Sequence, residues 1–431
     1  MTRVFGAPGK ALVAGGYLVL DPEYNSYVTA LSSRMHARIQ LDPVTDTYSK
    51  ITVSSPQFNG FWEYTIAHDT GFFKTKTRIG GRNPFIEETV KVLLAYVEPQ
   101  KLFNFQITLF SDPGFHTQDD TEQRYSDNSK KMFLYHKKPI EQVSKTGMGL
   151  SAGLVSVVSA ALLATFLAKP ASDIIHIIHN VSQIAHCGAQ GKIGSGFDVA
   201  AAVYGSIIYR RFSPMVISEI LDQQFSSEYC ASIKKIVNTE WDFVHSSCSL
   251  PPGLRLIMGD VNGGSETPRL VSQVLNWRNK DEDSVSVYET LNLANCRFMA
   301  ELQKLNEFSS QNPSKYKQEL EAGTLFMNLS NCIAAIREGL QLLTSKSGAD
   351  IEPPEQKHLL DKCEELPGCL GGVVPGAGGY DAICLLVDSS QVANLKQTTR
   401  LDESFASVTW LELTEESQGI VEELAEDYFG L

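Results

Sequence analysis

The chain has 431 residues, 43% of them hydrophobic and 20% charged, with a formal net charge of −13. That length can bury a large core and predicts two domains, and the composition is ordinary for a globular enzyme. The acidic balance excludes a general nucleic-acid or anionic-membrane binder, because both need clustered Lys and Arg; phosphate ligands, which need only a few local cations, stay open.

In chain order, Val4-Phe5-Gly6-Ala7-Pro8-Gly9-Lys10 runs into the apolar stretch 11–20. Short apolar runs broken by glycines read as strands with a turn or bulge. Residues 35–41, 48–54 and 105–110 are further strand candidates, and 84–96, with proline at its start and a 3–4 apolar period, predicts a helix. The polar, turn-rich stretch 111–131 is expected to be a mobile surface loop able to cover a site. Helices are predicted over 151–168 and 173–190, then a short helical piece at 199–204 and a strand at 206–212. Beyond the Pro251-Pro252-Gly253 breaker the pattern gives a strand at 254–260 and helices at 266–280, 285–306, 315–345 and 355–365. Strands around 369–375, 381–387 and 406–413 and a short acidic helix complete it. The order suggests an α+β chain without repeats, divided into two domains, 1–240 and 241–431.

Eight cysteines show no C-x-x-C pair and no zinc-like spacing. With no charged-then-apolar leader and no 18-residue apolar run, the expectation is a cytoplasmic protein with reduced thiols and no membrane partner. The sequons at Asn180 and Asn328 fall in predicted helices and read as chance matches.

Gly147-Met-Gly-Leu-Ser-Ala-Gly153 leads directly into an apolar helix and is the most informative segment. Glycines allow a tight turn and close approach to a ligand, and the helix start offers free N–H groups to an anion. Three site types share this spelling. A dinucleotide fingerprint needs a buried strand before it, and 139–146 is a poor one. A hydrolase nucleophile elbow at Gly149-Leu-Ser-Ala-Gly153 needs a strand, then an acid and a late histidine; His358 is the only late one, at the head of an amphipathic segment. The third reading is a phosphate loop of a small-molecule kinase. It is not a Walker A loop, since Ile193 follows Gly191-Lys192 where Ser or Thr is required.

Other residues admit two readings each. Asp198, after Gly194-Ser-Gly-Phe197, is either a helix cap or a site carboxylate near Lys192. Lys10 is a solvated lysine or a partly buried amine seeking an anion. Gly376-Ala-Gly-Gly379 is a tight hairpin or a close backbone approach to a ligand. The 263–267 turn is a backbone anion nest or a plain cap. His176, His179 and His186 share a predicted helix, where packed or solvated rings outweigh a metal trio. Of Arg210 and Arg211, one is a candidate for phosphate and the other for solvent.

Three Gly-rich segments in this order, Pro8-Gly9-Lys10, 147–153 and 376–379, resemble the motifs of the GHMP kinases. The strings Ala7–Asp21, Ala189–Ala201, Ser347–Pro354 and Pro375–Asp381 narrow the resemblance to members acting on 5-phosphomevalonate. The resemblance implies a ribosomal-S5-like α/β domain followed by a ferredoxin-like α/β sandwich, ATP and Mg²⁺ as cofactors, and a monomer or homodimer. It places Lys145, Gly147, Met148, Gly149, Leu150, Ser151, Ala152 and Gly153 around the ATP phosphates, with Ser151 on the Mg²⁺ side. It makes Lys10 and Asp198 an acid–lysine pair at the transferred group. Lys192, Ser195, Gly196, Ser265, Gly376, Ala377, Gly378 and Gly379 would lie toward the acceptor. One departure is Leu150, where these kinases usually carry Ser. A kinase acting on mevalonate or a sugar, with Asp198 as base, and a non-catalytic ATP sensor are the alternatives.

Overall fold

The N-terminal strand Thr2–Ala14 and its antiparallel partner Ser26–Leu41 are buried along most of their length, which places them inside a sheet covered on both faces. The computed structural model describes residues 2–69, 72–79, 81–118, 120–138, 140–143, 146–261 and 267–431. Around this pair a mixed sheet of ten strands is built, with one parallel contact, between Ser49–Ser55 and Asn104–Ser111. Ser49–Ser55 alternates fully buried and half-buried positions, the mark of a strand with one face on the core. The register shifts at Pro8/Gly9 and at Leu12/Ala14, so the bulge that the glycines predict does form, next to Lys10.

Helices Pro84–Val97, Leu150–Phe166, Ile175–Gln190 and Phe197–Tyr204 pack together against this sheet. Pro84 opens the first of them, and the Asn83 side chain caps it by accepting from the Ile86 N–H. Leu150–Phe166 is buried without a break from Val155 to Ala164, so it is apolar all round rather than amphipathic. Among the described residues, no single helix is long and apolar enough to cross a membrane.

The second sheet is antiparallel, in the order Cys369–Val373, Ala382–Asp388, Leu254–Asp260, Thr409–Trp410. Helices Met327–Ser347 and Pro354–Glu364 lie on it, and Ser284–Gln311 packs along Met327–Ser347. Buried beneath them, Arg337 donates to Glu352 at 2.8 Å, to Asp361 at 2.6 Å and to Glu364 at 2.7 Å.

Several expectations need correction. The stretch 111–131 is not a plain loop: Thr121–Tyr125 pairs with Met132–His136 in a hairpin. Phe133 of that hairpin stacks on Phe110, so the segment is anchored by aromatic packing. The single helix expected over 315–345 is two helices, Pro313–Glu321 and Met327–Ser347, separated at Gly323 with φ +70°. The strand at 406–413 shrinks to Thr409–Trp410. In place of a closing acidic helix, Glu415–Glu416 and Val421–Glu423 add to the first sheet, and a 3₁₀ turn, Ala425–Tyr428, follows. Two strands were not foreseen: Gly60–Asp69, paired with Ser49–Ser55, and the edge strand Phe72–Ile79 beyond it.

The C-terminal strands are fastened by charge. Arg3 meets Glu422 at 2.7 Å and Arg34 meets Glu416 at 2.8 Å. His36, fully buried, lies 2.7 Å from Glu423 and 3.2 Å from Asp112, and the Tyr428 hydroxyl donates to Glu423 at 2.6 Å. Burial alone would lower the His36 pKa, but Asp112 and Glu423 raise it overall. Burial likewise pushes Glu423 up, and His36 and Lys131 override it, leaving the carboxyl well below its usual range.

Candidate active site

A cleft of about 550 Å³ opens where the two sheets meet. Lys10, Gly147, Asp198 and Gly376 all line it, so three Gly-rich segments far apart in sequence converge on one space.

Lys10 follows the bulge in Thr2–Ala14. Its backbone N–H donates to Met148 O at 3.1 Å and its Nζ donates to Gly147 O at 2.9 Å. The amine lies 5.5 Å from the centre of the Phe197 ring. Burial lowers its pKa, and the negative charge of Asp198 works in the other direction.

Thr146 secures the entry of the central loop by donating to Gly114 O at 2.6 Å. Gly147 and Gly149 have φ of +73° and +79°, and Gly149 is the N-cap of Leu150–Phe166 without any side-chain cap. The first-turn N–H groups of that helix are therefore left for a ligand or solvent. Met148 and Ala152 are buried, and Gly153 is small because Met35 approaches within 3.0 Å of where a Cβ would stand. These three shape the loop from beneath. Among the described residues no strand leads directly into the loop, since Met132–His136 is followed by a 3₁₀ turn at Ile140–Gln142; a dinucleotide fingerprint or a nucleophile elbow needs the strand immediately before it.

Ser151 Oγ lies 3.1 Å from His186 Nε2. The same nitrogen is 3.3 Å from Gln190 Nε2 and 3.8 Å from Asp198 Oδ2. The three histidines on Ile175–Gln190 thus divide. His176 is exposed, and His179 is core, bonded to Asn180 and Gln183 and pulled down to about 3 by burial. His186 sits at the site, where the sequence reading had put a packed or solvated ring. Among the described residues no group of three or more His, Cys, Asp or Glu could hold a metal.

Asp198 is the second residue of Phe197–Tyr204, whose N-cap is Gly196 in the left-handed region. Its Oδ1 accepts from the Val199 N–H at 2.9 Å and its Oδ2 faces His186, so it is helix-terminal and cleft-lining at once. Lys192 is exposed at the cleft and Ser195 half-buried in its wall. Arg211 is the inward one of the two arginines, donating to Leu20 O at 2.7 Å and Gly194 O at 2.8 Å.

On the opposite side, Gly376 has φ +71° with open space where a Cβ would stand, and Gly378 (φ +81°) leaves room for Ile351 O, 2.3 Å from that position. Gly379 is buried and donates to Ile351 O at 3.0 Å. The 347–354 string therefore supports the 376–379 loop from behind. Tyr17, at φ +64°, donates its hydroxyl to Ala377 O at 2.7 Å and lines the cleft. Sequence reasoning missed Tyr17 and His186; both are brought in by long-range packing. Thr267 lines the cleft, while Lys145, Ser265 and the rest of the 262–266 turn lie outside the described residues.

This fold and cleft are those of a GHMP kinase. The model of the GHMP kinases C terminal matches residues 325–398. The phosphomevalonate kinase of Candida albicans is 51% identical over 436 residues, covering 100% of both chains. That of Aspergillus fumigatus is 33% identical, covering 98% of this chain and 97% of its own. Among solved structures, Streptococcus pneumoniae phosphomevalonate kinase in complex with phosphomevalonate and AMPPNP superposes with a TM-score of 0.62 at 15% identity, covering 96% and 99% of the two chains. Methanococcus jannaschii mevalonate kinase gives 0.58 at 14% identity, covering 96% and 99%. The chain belongs to the phosphomevalonate kinases.

Proposed function

We propose that the protein transfers the γ-phosphoryl group of ATP to the phosphate of 5-phosphomevalonate, giving mevalonate 5-diphosphate and ADP in the mevalonate route to isoprenoids and sterols. The convergence of Lys10, Gly147 and Asp198 in one cleft is the observation that supports it most directly. An acceptor phosphate oxygen forms the new bond to the γ-phosphorus while the bond to the ADP oxygen breaks. The acceptor's second pKa is near 6, so at pH 7 it is largely a dianion and no strong base is required. The obstacle is repulsion between two polyanions, and the chain answers it with cations and N–H dipoles in a partly desolvated cleft.

In this reading Lys10 neutralises charge on the transferred group, and the Gly147–Leu150 loop with the helix start behind it holds the ATP phosphates. Asp198 orients the charges around Lys10 rather than abstracting a proton. Lys192, Ser195 and Gly196, Ser265 on the 263–267 turn, and Gly376, Ala377, Gly378 and Gly379 serve the acceptor side. Mg²⁺ fits this donor set only with help. The Ser151 hydroxyl and Asp198 carboxylate are oxygen donors of the right hardness, but two donors imply that phosphate oxygens and water complete the shell. When bound, the ion would screen the phosphate charges. Ser151 would supply one oxygen to it, taking the part that Leu150 cannot.

The test is ADP release with Mg-ATP, offering 5-phosphomevalonate and mevalonate in parallel. Turnover with the phosphorylated acceptor alone is expected. Turnover with mevalonate would restore Asp198 as a base, and ATP binding without turnover on either would indicate a sensor.

A further inference from the structure

Three consecutive carbonyls in the loop before Phe197–Tyr204 are each held from behind by a buried side chain. Arg211 donates to Gly194 O at 2.8 Å, the Tyr209 hydroxyl to Ser195 O at 2.9 Å, and Gln183 Nε2 to Gly196 O at 2.7 Å. Tyr209 and Gln183 are fully buried and Arg211 is 6% exposed. In a trans peptide the C=O and the following N–H point opposite ways, and the described chain has no cis bonds. The anchors therefore turn the N–H groups of Ser195, Gly196 and Phe197 to the other side of the loop, where residues 194–198 form cleft wall. Among the described residues none of the three donates to another backbone group. Gly196 at φ +77° supplies the left-handed step that makes successive N–H groups concave.

A second observation points to a ligand. Arg211 also lines the cleft, and its Nε is buried with no partner. Its other nitrogens are satisfied by carbonyls, and Asp21 acts on the guanidinium through its charge without a hydrogen bond to it, so the buried cation has no directly bonded carboxylate.

We infer that Tyr209, Gln183 and Arg211 are positioning residues that build a backbone cradle at Ser195–Phe197 for the phosphate of the acceptor. The inference rests on the phosphorylated acceptor proposed above. A phosphate dianion could come from either substrate, and the surroundings favour the acceptor's. The guanidinium that fixes Gly194 also fixes Leu20, and Leu20 and Ile193 give the cleft an apolar wall beside the cradle, suited to a short carbon skeleton.

Tyr209→Phe keeps the ring and deletes one anchor. Steady-state kinetics should show the KM for 5-phosphomevalonate rising about 5-fold, the worth of one hydrogen bond, with the KM for ATP unmoved. Arg211→Gln should raise the acceptor KM further, and Arg211→Lys should recover only part of the loss, because a lysine restores charge without the two-pronged geometry. Calorimetry without ATP should show the preference for 5-phosphomevalonate over mevalonate shrinking in Tyr209→Phe. An unchanged acceptor KM, or a rise confined to ATP, overturns the cradle. If Arg211→Gln does not fold, Tyr209→Phe decides alone. A wild-type enzyme that ignores 5-phosphomevalonate would instead overturn the functional reading itself, so the two failures are distinct.

Discussion

The Lys10 side chain runs directly under Gly149: a Cβ at that glycine would lie 3.0 Å from Lys10 Cε. Lys10 Nζ then reaches Gly147 O at 2.9 Å, so the lysine is threaded beneath the loop whose helix it faces. The first glycine-rich segment and the second are therefore one device. A side chain added at Gly149 must displace Lys10.

Lys10→Met should keep the fold and lose the charge. Removing one preorganised electrostatic contact costs about 3–5 kcal/mol of transition-state stabilisation, or about 10²–10⁴-fold in kcat. Single-turnover kinetics would check it, and near-normal turnover would remove Lys10 from the chemistry.

Gly149→Val should fail on two counts. A branched residue is strained at φ +79°, and its side chain would collide with Lys10. Expected are loss of turnover and weaker ATP binding by calorimetry, with Gly149→Ala milder. Intact nucleotide binding in the valine variant would place the phosphates elsewhere.

The His36 cluster predicts the shape of the stability–pH curve. Glu423, with its pKa held low, stabilises the fold above its unfolded value near about 4.3 and ceases to do so as pH falls through the folded one. His36, with its pKa raised, stabilises fully below its unfolded value near about 6.5 and loses this as pH rises through the folded one. Melting temperature should therefore crest between these values, and Glu423→Gln should flatten the acid limb. Parallel curves for wild type and variant would discount the cluster.

Arg337→Met should cost about 3–5 kcal/mol, because Glu352 would be left buried and uncompensated. The double variant with Glu352→Met should lose less than Arg337→Met alone, since no charge is then stranded. Denaturant unfolding of the cycle measures both. Additive losses would mean the pair is not coupled.

The sequence was most legible where structure and chemistry are local. The strand Leu254–Asp260 and the glycine-to-helix junction at Leu150 fall where periodicity puts them, since each is specified by its own side chains. Lys10 and Asp198 were visible because each follows glycines at a turn. His186 was read as background because its link to Ser151 spans 35 residues and depends on how two helices pack. Tyr209 and Gln183 left no signal either, since a side chain holding a backbone carbonyl carries no motif. The strands Gly60–Asp69 and Phe72–Ile79 went unseen for a related reason: their identity as strands comes from the neighbours they pair with.

The strand carrying Lys10 pairs on one edge with Val421–Glu423, and the Arg3–Glu422 bond spans 419 positions. On the ribosome that edge must wait, with its backbone groups unsatisfied, while nearly all the residues in between are made. The strand that bears the lysine thus emerges well before the strand that closes it, 419 positions separating Arg3 from Glu422. Maturation of the cleft is then tied to a late, long-range closure, which is slow by nature and open to wrong pairings until it happens.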